Sequence, residues 1–390
     1  MVTDGDINEL EQMLDGAADP PKERSTPATE RRFPCAQCGA KVAFKPGEEA
    51  LHCPYCGHDT PIERSDALIE ELDYEAKLAE LASSEPTDEH ATVKCTSCGA
   101  EIDRPEHIDS FSCPYCDHNI VATVTSRKLI RPRSLLPFHV TREEARSSFK
   151  VWLKKLWFAP SALKKNMRLQ SRLNGMYIPY WTYDSGTVTE YTGQRGEHYY
   201  VPVTYTTTQN GRTVTRTRME RRTRWYPASG TVARHFDDVL VAASQSLPRK
   251  HVEALEPWDL NNLTPYADEY LSGFTAESYQ IELPAGFIMA QDIMAPTIHE
   301  DIRRDIGGDE QRVSTKHTHY HDITFKHILL PLWISSYRYK QKVYRFIVNA
   351  RTGEVQGERP WSFWKIFFAV LGGLAVIGVI AAAIAASQGG

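Results

Sequence analysis

The alternation of apolar and polar positions changes character several times along the chain. From Ile366 to Ala386 it stops altogether: IFFAVLGGLAVIGVIAAAIAA carries no charged or polar side chain over 21 residues. At about 1.5 Å per helical residue this run crosses a hydrocarbon core of about 30 Å, and it predicts a transmembrane helix. A buried core helix would be shorter, with soluble sequence on both sides. After Asn174-Gly175 the period is two. GMYIPYWTYDSGTVTEYTG and HYYVPVTYTTTQNGRTVTRTRMERRTRWYPASGTV are rich in Tyr, Thr and Val, and Asn210-Gly211 is a hairpin-turn signal between two alternating runs. Arg216, Arg218, Arg222 and Arg224 share one face of the second run, with Glu220 between them. Leu240 to Asp309 is predicted mostly helical and loop-like, with apolar spacing through Tyr270–Ile281 and Phe287–Ile306 and a stop at Gly307-Gly308. Strands return in TKHTHYHDITFKHILLPLWISSYRYKQKVYRFIVNARTGEVQGERP. Ile178-Pro179-Tyr180-Trp181 and Leu330-Pro331-Leu332-Trp333 echo each other and predict two equivalent strands of one sheet, each starting after its Pro.

Helical spacing appears twice before the strands. Leu68, Ile69, Leu72, Leu78 and Leu81 lie in a segment, 62–92, with ten acidic and two basic residues. It predicts an acidic amphipathic helix, either packed on its neighbours or acting as a docking surface or spacer. From Arg127 to Arg172 the balance reverses to 13 basic residues against two acids. Thr141-x-x-Glu144 is a capping-box pattern opening a helix through Trp157, with Phe149, Trp152, Leu153, Leu156 and Trp157 as its apolar side. Pro160 ends it, and Ser161 can cap a second helix. A basic, Trp-bearing helix suits anionic lipid headgroups or a nucleic-acid backbone; packing against the following sheet competes with both.

The cysteines change the picture most. Cys35, Cys38, Cys53 and Cys56 form a C-x2-C-x14-C-x2-C unit, and Cys95, Cys98, Cys113 and Cys116 repeat it at an offset of 60 residues. Four thiolates at this spacing can close a tetrahedron around one Zn²⁺, so two structural zinc ions are expected. A rubredoxin-like iron site is the alternative, and no ligand position is left for a catalytic water. Turns of this kind want a positive-φ residue after the second Cys, which Gly39, Gly57 and Gly99 supply and Asp117 replaces. His58 and His118, two residues after the last Cys of each unit, are expected beside the sites rather than in them. His317, His319 and His321 alternate on one strand face and could hold a metal, but an exposed strand accounts for them better.

The expected fold class is α+β: two small zinc ribbons, a mixed domain with antiparallel β-sheet and helices, and one C-terminal transmembrane helix. Its organisation is an acidic disordered arm over 1–32, ribbons over 33–62 and 93–126 separated by an acidic helical linker over 63–92, and a basic helical segment over 127–173. A β-rich α+β domain over 174–358 follows, then a juxtamembrane collar and the anchor over 359–390. Arg359, Trp361, Trp364 and Lys365 precede the apolar run and no Lys or Arg follows it, which places the N-terminal domains in the cytosol under the positive-inside tendency. Paired thiols and the lack of an apolar stretch in the first 30 residues agree with a reducing compartment. Net charge, −5 from 45 basic and 50 acidic residues, excludes no partner by itself.

The paired CxxCG and CPYC units, the LLPLWISSYRY run, the VNARTGEVQGERPWSFWK stretch and the apolar tail together resemble the bacterial membrane-anchored TFIIB-type zinc-ribbon proteins. Many of these carry the label of primosomal protein N′ or replication helicase-like protein. They are similar to components found beside phage-shock and SPFH-type membrane-stress proteins, and the resemblance implies a membrane adaptor. Neither GxxxxGK[ST] nor a DEAH-like tetrad occurs here, so no helicase motor is expected, and GxSxG, HExxH and GxGxxG are also absent. The expected function is a non-enzymatic adaptor at the bacterial inner membrane, binding membrane lipid and recruiting cytoplasmic or membrane proteins, with no small-molecule substrate and no catalytic residues. The alternative is a membrane-tethered nucleic-acid binder using the ribbons and the 127–172 block.

Overall fold

A computed structural model describes residues 33–63, 68–83, 89–94, 99–103, 110–112, 115, 119–121, 124–128, 130–156, 173–209, 212–339, 342–359 and 362–388. The first cysteine unit is a sheet of β1 (Phe33–Pro34), β2 (Lys41–Phe44), β3 (Ala50–His52) and β4 (Asp59–Pro61), in that order. β5 (Leu72–Asp73) leads into α1 (Tyr74–Ser83). The second unit contains β6 (Glu89–Lys94), β7 (Glu101–Asp103), β8 (Ser110–Ser112), β9 (Asn119–Val121) and β10 (Val124–Lys128). Then come β11 (Ser134–Leu135), α2 (Arg142–Lys155), β12 (Asn174–Gln209), β13 (Arg212–Ala242), α3 (Arg249–Glu253), β14 (Thr264–Pro265) and β15 (Thr275–Ala276). The chain closes with α4 (Leu283–Ile306), β16 (Glu310–Tyr339), β17 (Lys342–Asn349), β18 (Val355–Gly357) and α5 (Phe363–Gln388).

The two period-two stretches before and after Asn210-Gly211 become very long strands, 36 and 31 residues, and β16 adds a third of 30. β12 lies in the middle, antiparallel to β13 from Tyr180↔Ala242 onward and to β16 from Asn174↔Ile334 to Gly196↔Glu310. The pleat slips at Asp184–Gly186, where a bulge re-aims the side chains. The Ile178 and Leu330 echoes do face each other in this sheet, Ile178 opposite Leu330, but Pro179 and Pro331 lie inside the strands rather than at their starts.

α4 covers one face of the long sheet. Leu283, Phe287, Ala290, Met294, Ile298, Ile302 and Ile306 recur three or four residues apart, and all are buried against Trp181, Tyr183, Tyr191, Val239 and Phe325. The Trp181 indole donates to the Ile281 carbonyl at 2.8 Å and the Tyr183 hydroxyl to that of Leu283 at 2.7 Å, which fixes where the helix begins. Gly286 is required there, since a Cβ would stand 2.4 Å from the Tyr183 hydroxyl. Arg234 of β13 clasps Asp301 through two nitrogens, and the Tyr191 hydroxyl donates to Asp305 at 2.5 Å. The helix stops at Gly307, φ +65°, as the glycine pair predicts.

The other predicted helix of that region does not form. Around Tyr270–Ile281 the chain makes a single turn of 3₁₀ helix and the short strand β15, and Tyr270, Phe274 and Tyr279 are buried from irregular backbone. Tyr270 and Phe274 pack between the sheet and the first cysteine unit while Tyr279 packs beside Trp181 in the α4 core, so their spacing does not come from a helical period. α2 has the predicted capping box: Glu144 N–H donates to Thr141 Oγ1 at 3.2 Å and Thr141 N–H to Glu144 Oε2 at 2.8 Å. Its Phe149 stacks on Phe346 at 3.6 Å, so the apolar side is taken by β17 and β18. The helix ends at Lys155 with Leu156 as its cap, short of the predicted end at Trp157, and the second helix after Ser161 lies outside the described residues. α1 is shorter than its pattern, and Tyr74, Leu78 and Leu81 pack into the α4 core while Leu68 is exposed.

Asn349 shapes the turn that leads to the anchor. Its side-chain Oδ1 accepts from the Arg351 N–H at 2.8 Å, and Gly353 takes φ +76°. α5 follows, and the window Phe363–Ala381 is apolar, long enough to cross a membrane and wholly unburied. Replacing Ile302, fully buried in the α4 seam, with Ala is expected to cost about 2–5 kcal/mol in denaturant unfolding of the detergent-solubilised chain. Ile288→Ala on the exposed side of α4 should change stability by less than about 0.5 kcal/mol.

Candidate metal centre

The four sulfurs of Cys35, Cys38, Cys53 and Cys56 converge within 4.8 Å of one another. Two knuckles bring them together. In each, the residue after the second Cys has a left-handed backbone, Gly39 at φ +72° and Gly57 at φ +74°, and its N–H donates back to the first Cys carbonyl at 2.8 and 2.9 Å. β2 and β3 then carry the chain from one knuckle to the other.

Cys35 Sγ lies 3.6 Å from Cys56 Sγ, and Cys38 Sγ the same distance from Cys53 Sγ. A tetrahedron with metal–sulfur bonds of about 2.3 Å has edges of about 3.8 Å, so the cage fits one tetrahedral ion and is far too open for disulfide bonds of about 2.05 Å. The backbone amides of Cys56 and Tyr55 point at the Cys53 sulfur and help draw its thiol down to about 6. Cys56 is pushed up to about 12: the His58 amide favours its thiolate, but desolvation and the three neighbouring thiols outweigh it. Four thiolates in one cage repel, and a dication is what relieves that repulsion. The His58 ring is not among the converging ligands; the ring that is engaged is His52, whose Nδ1 lies 2.6 Å from Asp59.

This unit is not a free knob on a linker. Cys35, Val42, Phe44, Leu51, Cys53 and Ile62 belong to one core with Tyr177 and Trp333 of the main sheet and with Phe138 and Phe274 from the loops beside it. The Phe44 ring meets Tyr270 at 5.3 Å, and its N–H donates to the Ser272 carbonyl at 2.9 Å. Gly273 brings its backbone close to Ala43, where a Cβ would stand 2.9 Å from the Ala43 Cβ. A cleft of ≈ 400 Å³ remains along the seam, lined by Glu48, Glu49, His139, Asn262 and Arg351 among others. Arg351 is already held there by Asp259, Nη2 to Oδ2 2.5 Å.

Cys95, Cys98, Cys113 and Cys116, the ligands expected for a second ion, lie outside the described residues, as do Asp117 and His118. What is described of that unit is informative. Gly99 has φ +78°, matching Gly39, and Ala100 and Tyr115 are buried against Leu136, Ile178 and Trp258. Tyr115 and Tyr55 occupy equivalent places in the duplicated CPYC turns, yet Tyr115 is 1% exposed and Tyr55 72%. The two copies therefore use opposite sides of the same turn, a difference that no spacing of cysteines carries.

Beside Tyr115 stands Glu277, fully enclosed, accepting from the Ser246 hydroxyl and from the Gln280 amide at 3.1 Å. Sequence reasoning missed it, because a lone Glu in irregular sequence reads as surface. Burial raises its carboxyl to about 7. His327 is the opposite case: enclosed between Trp181 and Tyr279, it is pushed down to about 4 by burial, and its Nδ1–H donates to the Ile130 carbonyl, 2.7 Å away. His317, His319 and His321 lie on the sheet face opposite α4, exposed, and do not form a ligand cluster by distance.

Cys53→Ser is expected to lower bound metal by one equivalent per chain in elemental analysis of the purified protein; an unchanged content would contradict the cage. For Glu277 the folded value of about 7 exceeds the ordinary 4.5, so the folded state holds an extra proton between them. Its contribution is complete below about 4.5 and is lost as pH rises through about 7. Glu277→Gln, neutral throughout, should gain in melting temperature relative to wild type between pH 5 and pH 8; a constant difference across that window would count against this account.

No protein-family model matches the chain, and no solved structure matches it. A relative of similar length is the uncharacterised protein YdjG of Bacillus subtilis (strain 168), 25% identical over 349 residues that cover 87% of this chain and 94% of that protein.

Proposed function

We propose that this protein is a non-enzymatic adaptor of the bacterial inner membrane, held there by α5, with its metal-bearing domains in the cytosol. In this reading zinc fills the Cys35–Cys38–Cys53–Cys56 cage and, in the duplicated unit, the Cys95–Cys98–Cys113–Cys116 set. Both ions are structural. The observation that carries the reading is the combination of a ligand cage with no position left for substrate and an apolar helix with no protein surface to cover it. The cage is built into the wall of the main sheet, so the metal fixes a rigid surface next to the anchor-bearing domain, which is what recruitment of a protein partner needs. The cations Arg359 and Lys365 before α5 support the cytosolic placement.

The test is partner capture by cross-linking in intact membranes, comparing wild type with Cys53→Ser plus Cys113→Ser. Loss of a defined set of partners from the variant is expected at equal membrane abundance. An unchanged set removes the ribbons from recruitment, and protease accessibility of the N-terminal domains from outside the inner membrane removes the cytosolic placement.

A further inference from the structure

Past Gly196, β16 ends and the other two long strands go on alone. Thirteen cross-strand pairs, from Glu197↔Arg224 to Gln209↔Arg212, form a two-stranded arm about 43 Å long. Its root is clamped. Arg312 lies 3.8 Å over the Trp225 ring, His198 Nε2 is 2.7 Å from Glu310, and the His198 N–H donates to Asp309 at 2.7 Å. Beyond that root none of the arm's described side chains belongs to a buried core, and Tyr200 and Met219 are 61% and 62% exposed. A two-stranded ribbon of this length gains little from folding by itself, so its composition is explained by what it meets.

That composition is particular. Residues 197–224 hold six arginines, two glutamates and no lysine. Opposed residues share a face, so Arg212, Arg216, Arg218, Arg222 and Arg224 of β13 line one side of the arm, next to Tyr199, Val201, Val203 and Tyr205 of β12. The Cα atoms of arginines two residues apart on that strand are about 7 Å from each other. Arg224 sits 4.9 Å over the Tyr199 ring and Arg218 5.7 Å over Tyr205. The reverse face carries Thr204, Thr206, Thr208, Thr213, Thr215 and Thr217. A merely solvated strand has no reason to prefer arginine to lysine; guanidinium forks are suited to bidentate phosphate contact, and tyrosine faces accept unstacked bases.

We propose that the arginine and tyrosine face of the arm binds single-stranded nucleic acid, with phosphates on the β13 row and bases on the β12 rings. A lipid surface fits less well. Ser335 pairs with Phe346, which pairs with Gly357 just before the anchor, and from Ser335 to the root of the arm at Glu310 the strand runs about 80 Å. The site goes beyond the adaptor reading and does not depend on it, because it uses neither the cysteine cage nor α5.

The experiment uses the full chain in nanodiscs of zwitterionic lipid and measures anisotropy of labelled oligo-dT and oligo-U of about 20 nucleotides across about 50 to 200 mM salt. Binding to one or both is expected; the comparison assigns DNA or RNA. Arg216→Gln, Arg218→Gln and Arg222→Gln together should weaken it at least about tenfold at low salt and reduce the slope of log K against log salt by about 2. Tyr205→Leu should weaken it about tenfold with little change in slope. Metal content and melting temperature of these exposed variants serve as the folding control. No binding by wild type at low salt overturns the proposal. So does a triple variant that binds like wild type, equal affinity for a duplex, full competition by polyglutamate, which would point to an acidic protein, or binding only to anionic vesicles. None of these outcomes bears on capture of protein partners through the ribbons.

Discussion

The fold depends on one helix covering one face of three very long strands. A sheet of this kind has two faces and can leave only one of them to water, so the seam from Leu283 to Ile306 decides which side chains of β12, β13 and β16 point inward. The bulge at Asp184–Gly186 adjusts that choice partway along. Before it, Trp181 and Tyr183 point toward α4 and donate to the Ile281 and Leu283 carbonyls where the helix begins; after it, Thr187, Thr189 and Tyr191 are the side chains turned inward. The Arg234–Asp301 pair and the Tyr191–Asp305 bond add polar anchors at the far end of the helix, beside Ile298, Ile302 and Ile306.

The first cysteine unit is secured from two directions. Inside, four sulfurs at tetrahedral spacing and two glycine knuckles make a cage that a metal would close. Outside, Phe44 and Leu51 enter the same core as Tyr177 and Trp333, so the small sheet does not have to supply a core of its own. The duplicated unit meets the domain through its Tyr115, at a different wall lined by Leu136, Ile178 and Trp258. Duplication thus produced two copies with one ligand pattern and two modes of attachment.

The ends of the long sheet have different tasks. At one end, β17, β18 and α2 pack around Phe346, and the chain leaves through Glu358 toward the apolar helix. At the other, the sheet thins from three strands to two, and its surface turns to arginine, threonine and tyrosine. The basic back of α2 belongs to the anchor end, since Phe149 stacks on Phe346 there. The basic side chains of α2 and the arginine-rich strand are therefore far apart along the sheet.

Local chemistry was legible in the residues themselves. The four-thiol cage, the positive-φ glycines, the Thr141 cap, the stop at Gly307 and the apolar tail each follow from a few neighbouring side chains, and each is where the spacing put it. Periodicity failed where burial came from several directions, as at Tyr270–Ile281, because irregular backbone wedged between two sheets mimics helical spacing. Tertiary structure alone decided that Glu277 is enclosed, that Tyr55 and Tyr115 part company, and that one strand continues unbroken past Gly196 to become an arm. These properties depend on which distant residues arrive on the other side, and a chain read one residue after another carries no record of that.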